Sequence, residues 1–367
     1  MTVTELDLDD LRARATRAAQ GWVPGCTVGE IAPLSGGASS LTFTAHVDGV
    51  PPEHEQPERD APDRDTTENT VVLKVAPPGL EPVRNRDVAR QARLMRALAA
   101  ADGVRVPTVL FEDDGAPPAI PPFHAMNLLA GDCVEPVLIA PPPAELLPLV
   151  PARAHAAAAM LAALHRVDPA AVGLGSEPVT TLDDEIRRWT RAFGTVDDAL
   201  RARHEEAEAA LFATMPTALA PAVGHGDYRL GNMLCSGDEI TAIIDWELWS
   251  LADPRLDLAW FVFFTDEAKH PMAPNVAPSG VPSPDALLAT YMTAAGAAAT
   301  RATADMEWFH CLIRYKEAAA SALLYKRMVK ASGSGPANWE PAIQGLIVEC
   351  IERLSAFTPG RAATTPG

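Results

Sequence analysis

Val223 to Asp245, VGHGDYRLGNMLCSGDEITAIID, is the stretch on which the reading of this chain turns. It divides into a tight loop, a short strand, a turn at Ser236-Gly237-Asp238, a second strand and an aspartate at that strand's end. Asp227 lies five residues before Asn232, and folding the hairpin returns Asp245 to the side of Asn232. Such a set suits phosphoryl transfer from ATP. Asp227 would orient the accepting hydroxyl and take its proton late, while the Asn232 amide oxygen and the Asp245 carboxylate hold Mg²⁺ against the phosphates. An Asp-x4-Asn pair alone is as easily a turn cap. The glycine-flanked HGD, the hairpin and the apolar strand ending in aspartate, in that order, carry the reading.

Other residues fall in around this centre. His225, in the Gly-rich turn, is a scaffold that could bond the backbone near Asp245. Arg229 either neutralises charge on the transferred phosphate or is a surface arginine. Lys74 is the one lysine of the first 128 residues and sits inside the apolar run Val71–Val75. A buried ammonium needs a partner or a polyanion, so Lys74 is a candidate for the α- and β-phosphates. Ser35-Gly36-Gly37-Ala38-Ser39-Ser40 separates two strand-like runs, and the N–H groups around Gly36, Gly37 and Ser39 could cover phosphates, though the segment also reads as an ordinary turn. An adenine would meet the main chain of Asn127 and Leu129.

The pattern divides the chain into two lobes of an α+β protein. Residues 1–128 form a small, strand-rich lobe, with strands at Thr27–Leu34, Leu41–Val47, Val71–Val75, Thr108–Glu112 and Phe123–Leu129 and a main helix over 83–100, after a first helix over 5–20. Residues 48–70 carry eight acids, two arginines and four prolines, too polar to order themselves, and are expected to be a mobile insertion. Residues 129–358 form a mostly helical lobe, with helices at 152–166, 182–194, 198–213, 284–296, 304–330 and 338–357, and 359–367 is a frayed tail.

Composition narrows the function. With 48% hydrophobic residues the 367-residue chain can build a substantial core. A formal charge of −18 argues against nucleic acid, and the apolar runs are too short to span a membrane. Without a secretory signal, the cytoplasm is the expected compartment. Five scattered cysteines with no CxxC point to buried, inert thiols. Oligomeric state is not legible.

HGDYRLGN, IIDWE and ADPRLDLAW together resemble the aminoglycoside phosphotransferase family, also called choline-kinase-like. The likeness extends from GEIAPLSGGASSLTF through VVLKV and LAALHRVD, and is nearest the bacterial branch that resembles the kinase portion of acyl-CoA dehydrogenase fusion proteins. It implies a protein-kinase-like bilobal fold, ATP or alternatively GTP with Mg²⁺, and transfer to a hydroxyl of a small molecule. It makes Asp227 the base, Asn232 and Asp245 the metal ligands and Asp257 a buried acid bracing the catalytic loop, unless Asp257 is only a helix N-terminal acid. One departure stands out: the family's first-lobe helix carries a glutamate that pairs with the strand lysine, where ARQARLMRAL has Gln91. Asp87 could substitute, the helix register could differ, or nucleotide could hold Lys74.

Two other functions are open to the chain: a nucleotide-binding pseudokinase regulating a partner protein, which the intact Asp227, Asn232 and Asp245 disfavour, and a protein kinase, which the short run from Asp245 to Asp253 disfavours. For the acceptor, the helix over 304–330 offers Trp308, His310, Arg314 and Tyr315, suited to an anionic or CoA-linked alcohol. An aminoglycoside would need an acidic wall, for which the acids of 182–210 are candidates.

Overall fold

The computed structural model describes residues 6–34, 40–51, 69–139, 142–268, 270–274, 277–296 and 303–359. The chain forms two compact units. The first comprises Met1–Cys133, Val172–Leu174 and Asn232–Trp249; the second comprises Val134–Ala171, Gly175–Gly231 and Ser250–Gly367. The division therefore differs from the one at 128/129: it falls at Cys133/Val134, and the hairpin assigned to the second lobe belongs to the first unit. Main-chain bonding explains this. Cys235 and Asp132 exchange N–H···O bonds of 2.9 Å in both directions, and Ile243 N–H donates to Arg105 O at 2.8 Å. The Arg105 guanidinium then donates to Glu239 and to Ile240 O.

In the first unit, β1 (Thr27–Val28), β3 (Leu41–Asp48), β4 (Thr70–Val75), β6 (Phe123–Asn127) and β5 (Val109–Asp113) follow one another in an antiparallel sheet, and β2 (Ala32–Pro33) also pairs with β3. The strand expected over Thr27–Leu34 is thus two short pieces. Phe43, Ala45 and Val47 of β3 alternate with Leu73 and Val75 of β4 on the face covered by Leu11, Ala15 and Ala19 of α1 (Leu8–Trp22). Asp7 caps α1 by accepting from Asp9 and Asp10 N–H at 3.0 Å. Helix α2 (Val88–Leu98) starts later than expected, because Arg84–Arg86 forms a 3₁₀ turn and Asp87 caps α2 by accepting Arg90 N–H at 2.9 Å. The hairpin of β9 (Met233–Ser236) and β10 (Glu239–Ile243) completes the unit. Residues 52–68, most of the expected insertion, and 360–367, most of the expected tail, lie outside the described residues.

The second unit packs helices around α8 (Met306–Ser332), whose residues from Trp308 to Ala322 are mostly buried. Against it lie α4 (Leu182–Phe193), α6 (Arg255–Phe263) and α9 (Trp339–Ala356), with α3 (Val150–Arg166) against α7 (Pro284–Ala295). A small sheet of β7 (Val179–Thr180), β11 (Ser250–Ala252) and β8 (Ala222–Gly224) leads into the loop of interest. The helix expected over 198–213 is a 3₁₀ turn, Asp198–Leu200, followed by α5 (His204–Ala213), broken where Arg203 takes a left-handed φ of 60°. Among the described residues no helix is long and apolar enough to cross a membrane. Four of the five cysteines are buried, as expected, but Cys133 is exposed.

A buried acid sets a pH dependence on this unit. Glu317 of α8 accepts Ser321 Oγ–H at 2.7 Å, and His270 Nε2 stands 3.5 Å away, beyond a full hydrogen bond. Burial pushes the Glu317 carboxyl from 4.5 to about 7, with Ser321 and Lys316 opposing and Asp227 adding. Burial also pushes His270 down to about 3, so the imidazole is neutral. A carboxyl raised in the folded state keeps its proton while the unfolded chain has lost it, so stability falls as pH rises between those values. Glu317→Gln removes the penalty. In thermal melts it should be more stable than wild type at pH 8, by on the order of 1–3 kcal/mol, with the gap closing toward pH 5. A gap that widened in acid would contradict the assignment.

Candidate active site

The loop carrying Asp227 is fixed by bonds to the main-chain N–H groups of His225, Gly226 and Asp227 and to the Gly226 carbonyl. Asp257, in the first turn of α6 and buried, accepts His225 N–H at 2.5 Å and Gly226 N–H at 2.9 Å. Asp227 N–H donates to His225 Nδ1 at 3.2 Å, and Lys316 Nζ donates to Gly226 O at 2.7 Å. Gly226 has φ +83°, a conformation that L side chains rarely adopt, which explains the glycine of HGD. Asp257 is therefore both things the sequence allowed, a helix N-terminal acid and the brace of this loop. His225 is fully buried, and its described bond lies within its own loop, to the amide of Asp227.

Helix α6 is itself pinned at its start. Arg255 is 1% exposed, with its guanidinium on Asp253 at 2.7 and 2.9 Å and on Thr217 O at 2.8 Å, over the ring of Phe309. This fixes where α6 points Asp257 and, one turn on, Trp260.

The Asp227 carboxylate accepts Trp260 Nε1–H at 2.8 Å on Oδ1 and has Arg229 Nε at 3.3 and 3.4 Å. Arg229 is not a surface residue: its side chain is 24% exposed, lies over Phe264 and has NH1 3.7 Å from Glu135 Oε2. Glu135 accepts Gly231 N–H at 3.0 Å through Oε2, whereas its buried Oε1 has no hydrogen-bond partner among the described residues. Burial raises Glu135 to about 7, against the pull of Arg229 and Gly231.

In the first unit, Asn232 and Asp245 stand at the paired ends of the hairpin. Met233 faces Ile243, and Ile244 N–H donates to Asn232 O at 2.9 Å, so Asp245 is one step beyond its partner strand's Asn232. Asp245 has left-handed angles, φ 62° and ψ 52°, an uncommon conformation for a residue with a Cβ that costs of order 1 kcal/mol. Lys74, buried on β4 opposite Thr42 and His124, donates to Asp245 Oδ1 at 2.9 Å. Neither option offered for its counter-charge in α2 holds: Gln91 is buried and donates to Asn85 O at 3.2 Å, and Asp87 caps the helix. Asn127 ends β6, with its side chain accepting Thr108 N–H at 2.7 Å, and Leu129 follows the strand. Gly36, Gly37 and Ser39 lie outside the described residues. Among the described residues no three His, Cys, Asp or Glu side chains gather as a metal cluster; Asn232 with Asp245 is an amide and one carboxylate.

Some acceptor-side expectations do not hold. Trp308 is core, donating to Leu211 O at 3.2 Å, and the Tyr315 hydroxyl is buried against Thr190 Oγ1 at 2.9 Å. His310 and Arg314 line a cavity of about 200 Å³ with Arg353, Phe263 and Ile313. Five of the eight acids of 182–210 are engaged locally: Asp183 with Arg187, Asp184 in the capping box with Thr181, Glu185 with Trp189, Asp198 with Arg201 and Glu206 with Arg203. Lys316, Trp260 and Glu135 were not singled out from the sequence. A lysine in the apolar middle of α8 was the available signal for the first, and the DLAW tail of the α6 motif for the second.

The model of the Phosphotransferase enzyme family matches residues 30–306. Acyl-CoA dehydrogenase family member 10 of Mus musculus is 29% identical over 201 residues, 53% of this chain; the chain spans only 18% of that protein's length. A Ralstonia eutropha JMP134 protein, provisionally assigned as an aminoglycoside phosphotransferase, has a solved structure that is 21% identical with a TM-score of 0.66, covering 95% of this chain and 98% of that one. A thermostable mutant of aminoglycoside phosphotransferase APH(4)-Ia, in ternary complex with AMP-PNP and hygromycin B, is 16% identical with a TM-score of 0.54, covering 90% and 96%. At such identities the structural likeness carries the fold, which is the α+β, protein-kinase-like fold expected from the sequence. With most of its length matched by the family model, the chain belongs to the phosphotransferase enzyme family.

Proposed function

We propose that the protein transfers the terminal phosphoryl group of ATP, or of GTP, to a hydroxyl of a small molecule in the cytoplasm. The observation that supports this most is the over-determined position of Asp227, held through both main-chain polar groups of Gly226, through its own N–H and through its own carboxylate. Phosphoryl transfer has a loose transition state, so placing the acceptor and stabilising charge account for most of the rate. Asp227 orients the hydroxyl and accepts its proton as the bond to phosphorus forms. Arg229, paired with Asp227 in this state, offers its remaining N–H groups to oxygens of the transferred group.

In the first unit, Lys74 contacts the α- and β-phosphates and the main chain at Asn127 and Leu129 meets the base. Asn232 and Asp245 hold Mg²⁺. A single carboxylate with an amide oxygen would fit this ion, a hard cation that takes oxygen ligands. When bound, it neutralises charge on the β- and γ-phosphate oxygens. His225, Asp257 and the α2 residue Gln91 act as support, the last by fixing the main chain at Asn85 rather than by touching Lys74.

With ATP or GTP, Mg²⁺ and a panel of hydroxylated metabolites, the protein should convert nucleotide to a phosphomonoester visible by ³¹P NMR. Asp227→Asn should lose roughly 10²- to 10⁴-fold in rate while keeping its nucleotide-induced thermal shift. Equal turnover in the two proteins would overturn the role given to Asp227. Lys74→Met should weaken nucleotide binding by about tenfold, the loss of one charge-assisted contact. Unchanged affinity by calorimetry would remove Lys74 from the phosphate site.

A further inference from the structure

Lys316 is costly where it stands. It lies in the apolar middle of α8, 7% exposed, and burial lowers its pKa against the opposing pull of Glu185, Asp227 and Asp257. A buried ammonium destabilises a fold unless its protons are used, and a methionine of similar length would fill the volume without that cost. Packing therefore does not explain the residue. Its contacts do: Nζ donates to Gly226 O at 2.7 Å and lies 3.8 Å from the centroid of the Trp260 ring. Trp260 in turn donates Nε1–H to Asp227 Oδ1 at 2.8 Å.

The geometry points to Lys316 as a positioning residue for Asp227, acting through the Gly226 carbonyl and the Trp260 indole together. The first arm is steric and conformational. Gly226, lacking a Cβ, has the widest choice of backbone angles in the loop. Its N–H is taken by Asp257 and its C=O by Lys316, so the peptide leading into Asp227 is clamped at both ends. The second arm is electronic. A cation over the face of an indole draws on the ring's π density, and the polarised ring is a stronger N–H donor. That donor is bonded to the Asp227 carboxylate, so the same charge that fixes the main chain also tightens the side chain. Lysine suits both tasks because its compact ammonium can point one proton at a carbonyl and still rest on a ring.

This inference rests on Asp227 being the group that meets the acceptor, but its test needs no turnover. The full chain is labelled with ¹⁵N-tryptophan, and Trp260→Phe assigns the Trp260 indole resonance. In Lys316→Met that resonance should move upfield, as for a weakened hydrogen bond, while those of Trp22, Trp246, Trp249 and Trp339 stay in place. Amide exchange at His225, Gly226 and Asp227 should quicken by about tenfold, the factor equivalent to ~1.4 kcal/mol. Lys316→Gln, which keeps a donor but no charge, should reproduce the indole shift with a smaller change in exchange, and it serves if the methionine variant does not fold. In either variant, slow phosphate release from ATP to water should fall with the loop's protection. An unmoved Trp260 resonance would overturn the proposal. So would a shift of every indole with faster exchange throughout, the signature of a purely structural lysine. A wild-type protein that moves no phosphate would instead sink the proposed reaction and leave the two spectroscopic results standing.

Discussion

One carboxylate accepting two successive main-chain N–H groups is the constraint on which the loop carrying Asp227 depends. Asp257 takes the amides of His225 and Gly226, and both bonds are charge-assisted, the first buried and the second part-buried. Bonds of this type contribute roughly 1.5–3 kcal/mol each, and losing the acceptor would strand two donors at a further cost. Asp257 can do this only because α6 begins where it does, and α6 begins there because Asp253 and Arg255 form a buried pair at its start. The segment ADPRLDLAW is therefore a single device. Its first acid and arginine set the helix, its second acid holds the loop, and its tryptophan reaches Asp227.

The hairpin of the first unit solves a related problem by different means. Asp245 must leave the end of β10 at an angle that a strand does not provide, and the chain accepts left-handed backbone angles to achieve it. Such strain survives where the surroundings over-determine the position. Here the main-chain bonds to Asp132 and Arg105 and the Lys74 ammonium supply that determination. Lys74 is thereby matched with an acid of the hairpin rather than with α2, which accounts for how the chain tolerates glutamine at position 91.

The sequence revealed most where the signal was local. The turn at 236–238 and the strands Leu41–Val47 and Val71–Val75 were legible because each depends on neighbours a few residues away. Helix α6 was legible only as an alternative reading of Asp257, because it is apolar on nearly all sides and lacks the periodicity of an amphipathic surface helix. Helix 198–213 was drawn too long because composition cannot announce the left-handed turn at Arg203. Lys316, Trp260 and Glu135 acquire their meaning only through partners tens of residues distant, 90 in the case of Lys316 and Gly226. Trp308 and Tyr315 were read as cleft residues for the same reason: helical spacing gives a face, but not what that face packs against.

Asn232 and Asp245 are assigned to one divalent ion, and a crystal structure of the protein grown with AMP-PNP and Mg²⁺ puts that assignment to the test. The predicted result is one Mg²⁺ bonded to the Asn232 side-chain oxygen, the Asp245 carboxylate and phosphate oxygens of the nucleotide. A nucleotide bound with its metal on other residues, or with Asn232 and Asp245 both facing away from it, would contradict the account.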